Sequence, residues 1–259
     1  MADAVIQTVA DGVATLRLAE PDSRNALSPA ILAALEGAVP ALLADAAVRC
    51  LVITGTGRSF CAGGDLRSLG APSGPQESRQ RLARSYAWLE ALLSAEKPVI
   101  TAVNGVAVGA GFGLAMAGDI VIAADSAAFI AGFPMVGVVA DYGLGRTLPR
   151  AVGSVRAKDI LLTGRKVDAA EALAMGMVSR VVPADALEAE ATALARQLAD
   201  GPTVALGLTK KLIDQACEGS PAGHFDREGF AQATAFGTAD YREGVSAFLE
   251  KRAPKFEGR

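Results

Sequence analysis

The chain has 259 residues, 51% of them hydrophobic and 20% charged, enough for one large core or for a core with a small appendage. A formal net charge of −3 and a pI near 5.3 give no general electrostatic reason to bind nucleic acid. The apolar stretches are broken by glycine and charge well short of the roughly 20 residues of a membrane span, and the opening M-A-D-A-V-I-Q-T-V-A lacks the basic and apolar regions of a signal peptide. The expectation is a cytoplasmic protein with neither nucleic acid nor membrane as a partner.

Val5 to Val9 and Val13 to Leu18 read as two short strands joined at Asp11-Gly12, a strong hairpin signal. Ser28 and Pro29 then read as N-cap and first helical residue, with Ile31, Leu35, Val39 and Leu42 or Leu43 on one helical face. Val48 to Thr54 is a buried strand. The Pro- and Gly-containing stretch from Ala71 to Ser78 is loop-like and precedes a helix carrying Leu82, Tyr86, Leu89 and Leu93 at helical spacing. Lys97 to Val103 is another strand, and the small residues from Gly109 to Gly118 suit a helix packed closely on a sheet. Asp119 to Ala124 and Ala127 to Ala131 are short strands, and Gly132 to Gly145 is irregular. Arg146 to Leu162 and Val167 to Ala174 read as helices, and Val178 to Val182 as a brief extended run. Beyond Ala184 only helical periodicity remains, with breaks at Gly201-Pro202 and from Gly219 to Gly223. The outline is an α/β body followed by a helical tail, with no fixed-period repeat.

The chain is organised around two glycine-rich turns. One runs from Gly55 to Gly70, G-T-G-R-S-F-C-A-G-G-D-L-R-S-L-G, and the other from Asn104 to Gly113, N-G-V-A-V-G-A-G-F-G. Each follows a β-branched run and is expected to lead into a helix, leaving bare backbone N–H groups. Two such turns can aim two donors at one oxygen, as in an oxyanion hole; the same pattern also serves plain α/β packing.

The cysteines, Cys50, Cys61 and Cys217, are odd in number and form no C-x-x-C pair, and His224 is the single histidine. No disulfide framework or zinc site is expected. Cys61 lies in the first glycine turn without a nearby histidine, so it reads as a small buried side chain rather than a nucleophile.

The sequence resembles the enoyl-CoA hydratase/isomerase, or crotonase, superfamily. The resemblance rests on Arg24-Asn25-Ala26-Leu27-Ser28, Ser59-Phe60-Cys61-Ala62-Gly63-Gly64-Asp65-Leu66, Ala102-Val103-Asn104-Gly105, Ala170-Glu171-Ala172-Leu173 with Gly176-Met177-Val178, and the end from Glu243 to Arg252, in family order. It implies a spiral of ββα units over residues 1–195 and a helical oligomerisation region over 196–259, assembled as homotrimers or dimers of trimers. It also implies coenzyme A as part of a thioester substrate, with no permanently bound cofactor and no metal. By the same resemblance the oxyanion donors are the amides of Gly64 and Ala110. The CoA moiety would lie along Arg24, Ala26, Leu27, Ala62, Asp65 and Leu66, and Phe248 and Lys251 would close the site, from a neighbouring subunit or from this one. An exposed lysine on the last helix is the plainer reading of Lys251.

The two glutamates that hydratases of the superfamily use fall on Gly113 and Phe133, neither of which moves a proton, so efficient hydration is not expected. The carboxylate left in the region is Asp141, in V-V-A-D-Y-G. Read alone it is a turn residue; by the resemblance, some isomerases of the superfamily, including those acting on ring-epoxide phenylacetyl-CoA, carry an acid/base aspartate at this turn. An isomerase needs one carboxylate to move a proton from C2 to C4 of an enoyl thioester, with its pKa raised by apolar surroundings such as Phe133, Met135, Val136 and Val139. The expectation is an enoyl-CoA isomerase with Asp141 as acid/base. A weak hydratase, a ring-epoxide phenylacetyl-CoA-type isomerase and a catalytically weak acyl-CoA-binding protein remain as alternatives. A dehalogenase using Asp141 as nucleophile fits less well, because His224 is the only histidine to hydrolyse the ester and lies outside every motif.

Overall fold

The computed structural model describes residues 3–68, 74–216 and 218–259. The chain opens with strands β1 (Val5–Ala10) and β2 (Val13–Leu18), paired antiparallel across Asp11 and Gly12, both of which have positive φ as the tight hairpin turn requires. A single 3-10 turn, Pro21–Ser23, leads to helix α1 (Pro29–Ala44), whose start is fixed as expected: the Ser28 hydroxyl accepts the Ile31 amide at 3.2 Å, and Pro29 occupies the first turn. Its buried face is Ile31, Leu35, Val39 and Leu42.

The body then repeats one unit. Strand β3 (Cys50–Gly55) is followed by the short β4 (Ser59–Cys61) and helix α2 (Pro75–Ser94); β5 (Val99–Val103) by β6 (Val106–Val108) and helix α3 (Ala110–Ala115); β7 (Ile120–Ala124) by β8 (Ala128–Ile130) and helices α4 (Phe133–Val136), α5 (Leu144–Val152) and α6 (Ser154–Thr163). The first strand of each unit joins a six-stranded sheet ordered β1-β2-β3-β5-β7-β10, and the second joins a four-stranded sheet ordered β4-β6-β8-β9, where β9 is Lys166–Asp168 and β10 is Arg180–Val182. Pairing from β2 to β10 is parallel, so successive units wind as a spiral. The spiral has no sequence period, because the segments between its layered strands differ widely in length.

Helix α7 (Ala169–Ala174) separates β9 from β10, and helix α8 (Leu187–Ala199) covers the large sheet over β2, β3, β5 and β7. Every residue of β3 and β5 is buried, as a parallel sheet covered on both faces requires. Helices α9 (Thr203–Asp214), α10 (Pro221–Phe236) and α11 (Ala239–Glu250) form the tail. The expected division at 195/196 falls inside α8, which lies on the sheet through Ala199. Helix α9 is held to the body by a largely buried Lys210–Asp119 ion pair at 2.9 Å and by Gly207, where an added Cβ would meet the Glu96 backbone oxygen at 2.7 Å. Among the described residues no helix is long and apolar enough to cross a membrane.

Three expectations need correction. The glycine turns do not lead straight into helices: each passes first through a short strand, β4 or β6, which supplies the second sheet. Val167 belongs to β9, and the helix after it begins at Ala169. The core face of α2 is Ser85, Trp88, Leu89 and Leu92, rotated from the face read in the sequence, because Trp88 is the bulkier anchor and leaves Tyr86 facing outward. Residues 69–73, the end of the first glycine turn and the start of the Ala71 to Ser78 loop, lie outside the described residues.

Asn25 is fully buried between the first two layers. Its Nδ2 donates to the Thr56 and Ser59 carbonyls at 2.9 and 2.8 Å, and its Oδ1 accepts the Glu20 amide at 3.0 Å and the Thr56 hydroxyl at 3.2 Å. Replacing it with alanine strands these partners in the interior, so Asn25→Ala is expected to lower unfolding free energy by about 3 kcal/mol or more, read as the midpoint shift in urea denaturation at an unchanged slope.

Candidate active site

The two glycine turns meet backbone to backbone. Gly63 has φ +89, and a Cβ there would sit 2.5 Å from the Val108 carbonyl oxygen and 3.4 Å from the Ala110 nitrogen. A Cβ on Gly111 would lie 2.2 Å from the Cys61 carbonyl oxygen, so the first turn of α3 presses directly on β4. Gly109, at φ 54 and ψ −121, reverses the chain between β6 and α3 and donates its N–H to the Ile130 carbonyl at 2.9 Å. The Gly64 amide lies one residue from this contact, and Ala110 opens the helix. Among the described residues neither N–H donates to a protein acceptor.

The segment from Arg24 to Leu27 runs beside the first turn. Arg24 is exposed with φ +57, and its carbonyl accepts the Ala62 amide at 3.0 Å. Ala26 and Leu27 are buried; Leu27 donates to the Gly63 carbonyl at 2.7 Å and pairs parallel with Gly64. Asp65 is half-buried and its carboxylate accepts the Arg67 amide at 3.1 Å, while Leu66 is exposed. Arg24, Leu27, Ala62 and Gly64 therefore meet along one seam with Ala26 between the first two, Asp65 and Leu66 follow at its end, and Ala110 abuts it through Gly63.

Phe248 and Lys251 stand apart. Both are exposed at the end of α11, where Lys251, at φ +55, forms the left-handed C-cap. Within the chain α11 packs on α10.

The turn that carries Asp141 packs on α3 at Gly113. A Cβ on Gly113 would meet the Tyr142 Cβ at 2.6 Å, the Tyr142 carbonyl oxygen at 2.8 Å and the Asp141 carbonyl oxygen at 3.1 Å. Gly113 is three residues after Ala110 on the same helix, about 4.5 Å along its axis. The Asp141–Tyr142 backbone therefore occupies the room that a side chain at 113 would need. Phe133, at the other glutamate position, is buried, and its ring is 3.8 Å from where a Gly109 Cβ would stand.

Among the described residues of this region, the Asp141 carboxyl is the acid whose titration is shifted toward neutrality. One of its oxygens, Oδ1, is buried without a hydrogen-bond partner. Burial pushes its pKa up to about 6. The apolar surroundings are not those expected: Met135, Val136 and Val139 are exposed at 78, 52 and 83%, because α4 is a single turn that buries only Phe133. The desolvating neighbours are aromatic residues of α2 and of the turn itself. Tyr142, at φ +50 and nearly fully buried, shares a hydrogen bond with Ser85, and its ring lies edge-on to Trp88 at 6.1 Å and to Tyr86 at 6.3 Å. Burial raises the Tyr142 and Tyr86 pKa values, with the Asp141 charge a lesser cause in each, so neither phenol supplies a proton near neutrality.

Cys61 and Cys50 are buried thiols pushed up to about 12 by burial, which fits the reading of Cys61 as packing; Cys217 lies outside the described residues. His224 is in α10, 3.6 Å from Glu228. Sequence reasoning passed over two residues of structural weight: Asn25, quoted in a motif but given no task, and Tyr86, placed on a helix face without a link to Asp141. A buried asparagine beside a glycine turn is a readable signal. The Tyr86–Asp141 proximity spans 55 residues of chain and has none.

A spiral of two-strand layers, with paired glycine turns and an open amide on each, defines the crotonase class of fold. The sequence profile described as enoyl-CoA hydratase/isomerase matches residues 8–259. The chain is similar to 1,2-epoxyphenylacetyl-CoA isomerase of Escherichia coli, 42% identical over all of both chains, and to a probable enoyl-CoA hydratase of Rhodobacter capsulatus, 39% identical over 97% of this chain and 96% of that one. A crystal structure of enoyl-CoA hydratase from Bacillus anthracis superposes with a TM-score of 0.93 at 31% identity, covering 99% of this chain and 100% of that one. The protein belongs to the enoyl-CoA hydratase/isomerase family.

Introducing the missing carboxylate at 113 is not expected to create a hydratase. Gly113→Glu forces the Asp141–Tyr142 backbone aside and is expected to cost about 2 kcal/mol or more in stability. Thermal denaturation would report that loss, and crotonyl-CoA hydration would stay at the wild-type level or below.

Proposed function

We propose that the protein isomerises the double bond of an enoyl-CoA thioester through an enolate, with Asp141 as the proton shuttle. The observation that carries this reading is the Asp141 carboxyl: a desolvated acid with an unpartnered oxygen, packed on the same short helix whose first amide, Ala110, is free. The thioester carbonyl oxygen accepts the Gly64 and Ala110 N–H groups. Ionised Asp141 removes a proton from C2 of a 3-enoyl thioester, the electron pair delocalises to the carbonyl oxygen as the enolate, and the proton returns at C4 as the double bond moves to C2–C3. The same carboxyl gives back what it took, so no second acid is needed. Gly113 and Phe133 leave no glutamate pair to activate water, which argues for isomerisation over hydration. The CoA moiety would follow the seam of Arg24, Ala26, Leu27, Ala62, Asp65 and Leu66.

The ring-epoxide type of isomerisation is the second reading, favoured by the 42% identity to 1,2-epoxyphenylacetyl-CoA isomerase. Either reaction asks the same of this site, an acid/base at 141 and an enolate held by two amides. The protein would work as a homotrimer or dimer of trimers, since Phe225, Phe230, Phe248 and Leu249 stand 66 to 83% exposed on α10 and α11 and need covering. Phe248 and Lys251 would then close a site in the assembly.

Proton exchange at the α carbon of acyl-CoA and bond migration in 3-enoyl-CoA, both followed in heavy water, test the shuttle. Asp141→Asn is expected to lose both by ~100-fold or more while keeping CoA-ligand affinity. Exchange that survives the substitution would sink the assignment. In the wild type, the rate should fall as pH drops through about 6, where the base becomes protonated.

The same shift affects stability. The folded-state pKa lies above the unfolded value of about 3.9, so stability linked to this group is full below the unfolded pKa and is lost as pH rises through about 6. Asp141→Asn should therefore melt higher than wild type at pH 7, and the difference should shrink as pH falls from 6 toward 4.

A further inference from the structure

An open cavity of about 1180 Å³ has Asp141 on its wall. Helix α2 lines one side with Tyr86, Leu89, Glu90 and Leu93, at spacings of three and four residues, and α5 faces it with Arg146 and Arg150. Tyr86, Leu89 and Leu93 belong to the stripe visible in the sequence with Leu82, and they line this cavity, while the core face of α2 is carried by Trp88 and Leu92 together with Leu89. The end nearest Asp141 is apolar and aromatic. Farther along, several charged groups are paired: Arg146 and Arg150 share Glu218 at 3.7 and 3.2 Å, and Lys210 pairs with Asp119.

Tyr86 is the aromatic residue of this end that keeps free surface. Tyr142 and Trp88 are almost wholly buried, whereas Tyr86 is 38% exposed. Its ring stands at 80° to that of Tyr142, an edge contact that restrains its plane, while over a third of the residue stays exposed. The backbone behind it is anchored through Trp88 and Leu92 in the core, so the ring is held by a rigid helix.

We propose that Tyr86 is a specificity-determining residue, whose exposed ring on the cavity wall receives a planar, ring-bearing acyl group while Asp141 works on the carbons next to the thioester. The proposal rests on the acid/base reading of Asp141 for its geometry, and it names the acyl class of that same site. A flat unsaturated ring gains offset stacking on Tyr86 that a short saturated chain does not, and the cavity has ample volume for the ring.

The test measures α-proton exchange and equilibrium binding for phenylacetyl-CoA and butyryl-CoA with wild type, Tyr86→Phe, Tyr86→Leu and Tyr86→Ala. Phe is expected to behave as wild type. Leu and Ala should weaken phenylacetyl-CoA, in both KM and Kd, by about tenfold, with butyryl-CoA within about twofold and kcat for both substrates retained. Leu separates a stacking face from mere apolar bulk and also guards against a folding defect in the alanine variant. The idea is overturned if both thioesters weaken equally, if Leu keeps full phenylacetyl-CoA affinity, or if Phe loses it. Asp141→Asn measured in parallel reads the shuttle separately, since binding reports on Tyr86 even where exchange does not depend on Asp141.

Discussion

The close approach of successive layers of the spiral is the constraint on which the site depends. Carbonyl oxygens of one layer lie where an adjacent layer's glycines would carry a Cβ: Arg58 against Gly105, Cys61 against Gly111 and Val108 against Gly63 at 2.5 Å. Any side chain at these positions would drive the layers apart. With hydrogens there instead, two backbone segments from distant parts of the chain sit side by side, each with an amide left without a protein acceptor among the described residues. Backbone donors held in this way need no reorganisation when charge develops on an oxygen between them.

Packing so tight leaves backbone polar groups wholly or partly withdrawn from water, and asparagines satisfy them. Asn25 bonds the Thr56 and Ser59 carbonyls, and Asn104 bonds the Gly57 and Ser59 carbonyls at 3.0 and 3.3 Å while accepting the Gly55 amide at 3.1 Å. An amide side chain suits this task because it donates and accepts at once. The two side chains converge on Ser59, the first residue of β4, and so fix the strand that carries Cys61 to Gly64 into the site. Stability and function share these atoms.

Asp141 is the reverse case, a group held at some cost to the fold. Its carboxyl is desolvated and has one oxygen without a partner, a state that disfavours the charged form and raises its affinity for a proton. A carboxyl whose pKa lies near 6 is ionised at neutrality yet more basic than an exposed aspartate, which is what the proposed enolate-forming step asks of it. The absence of a side chain at Gly113 is the steric condition for this: the turn bearing Asp141 fills the room on α3 that a glutamate would occupy. In this chain the two arrangements are mutually exclusive, which links its lack of the glutamate pair to the presence of the aspartate.

Local chemistry was legible in the sequence wherever neighbours along the chain decide the outcome. The Asp11-Gly12 hairpin, the Ser28-Pro29 helix start and the apolar face of α1 follow from turn geometry, capping and periodicity within a few residues. The order of short motifs carried the family and, with it, the spiral. Other features depended on contacts between distant segments. The strands β4 and β6 are three residues each, too short for a periodic signal, and exist because they pair across layers. The exposure of Met135, Val136 and Val139, the rotation of α2 about Trp88 and the aromatic surroundings of Asp141 have the same origin. The sequence by itself determined the elements and the set of groups available for chemistry; only tertiary packing decided which of them meet, because burial and close approach belong to segments that are far apart in the chain.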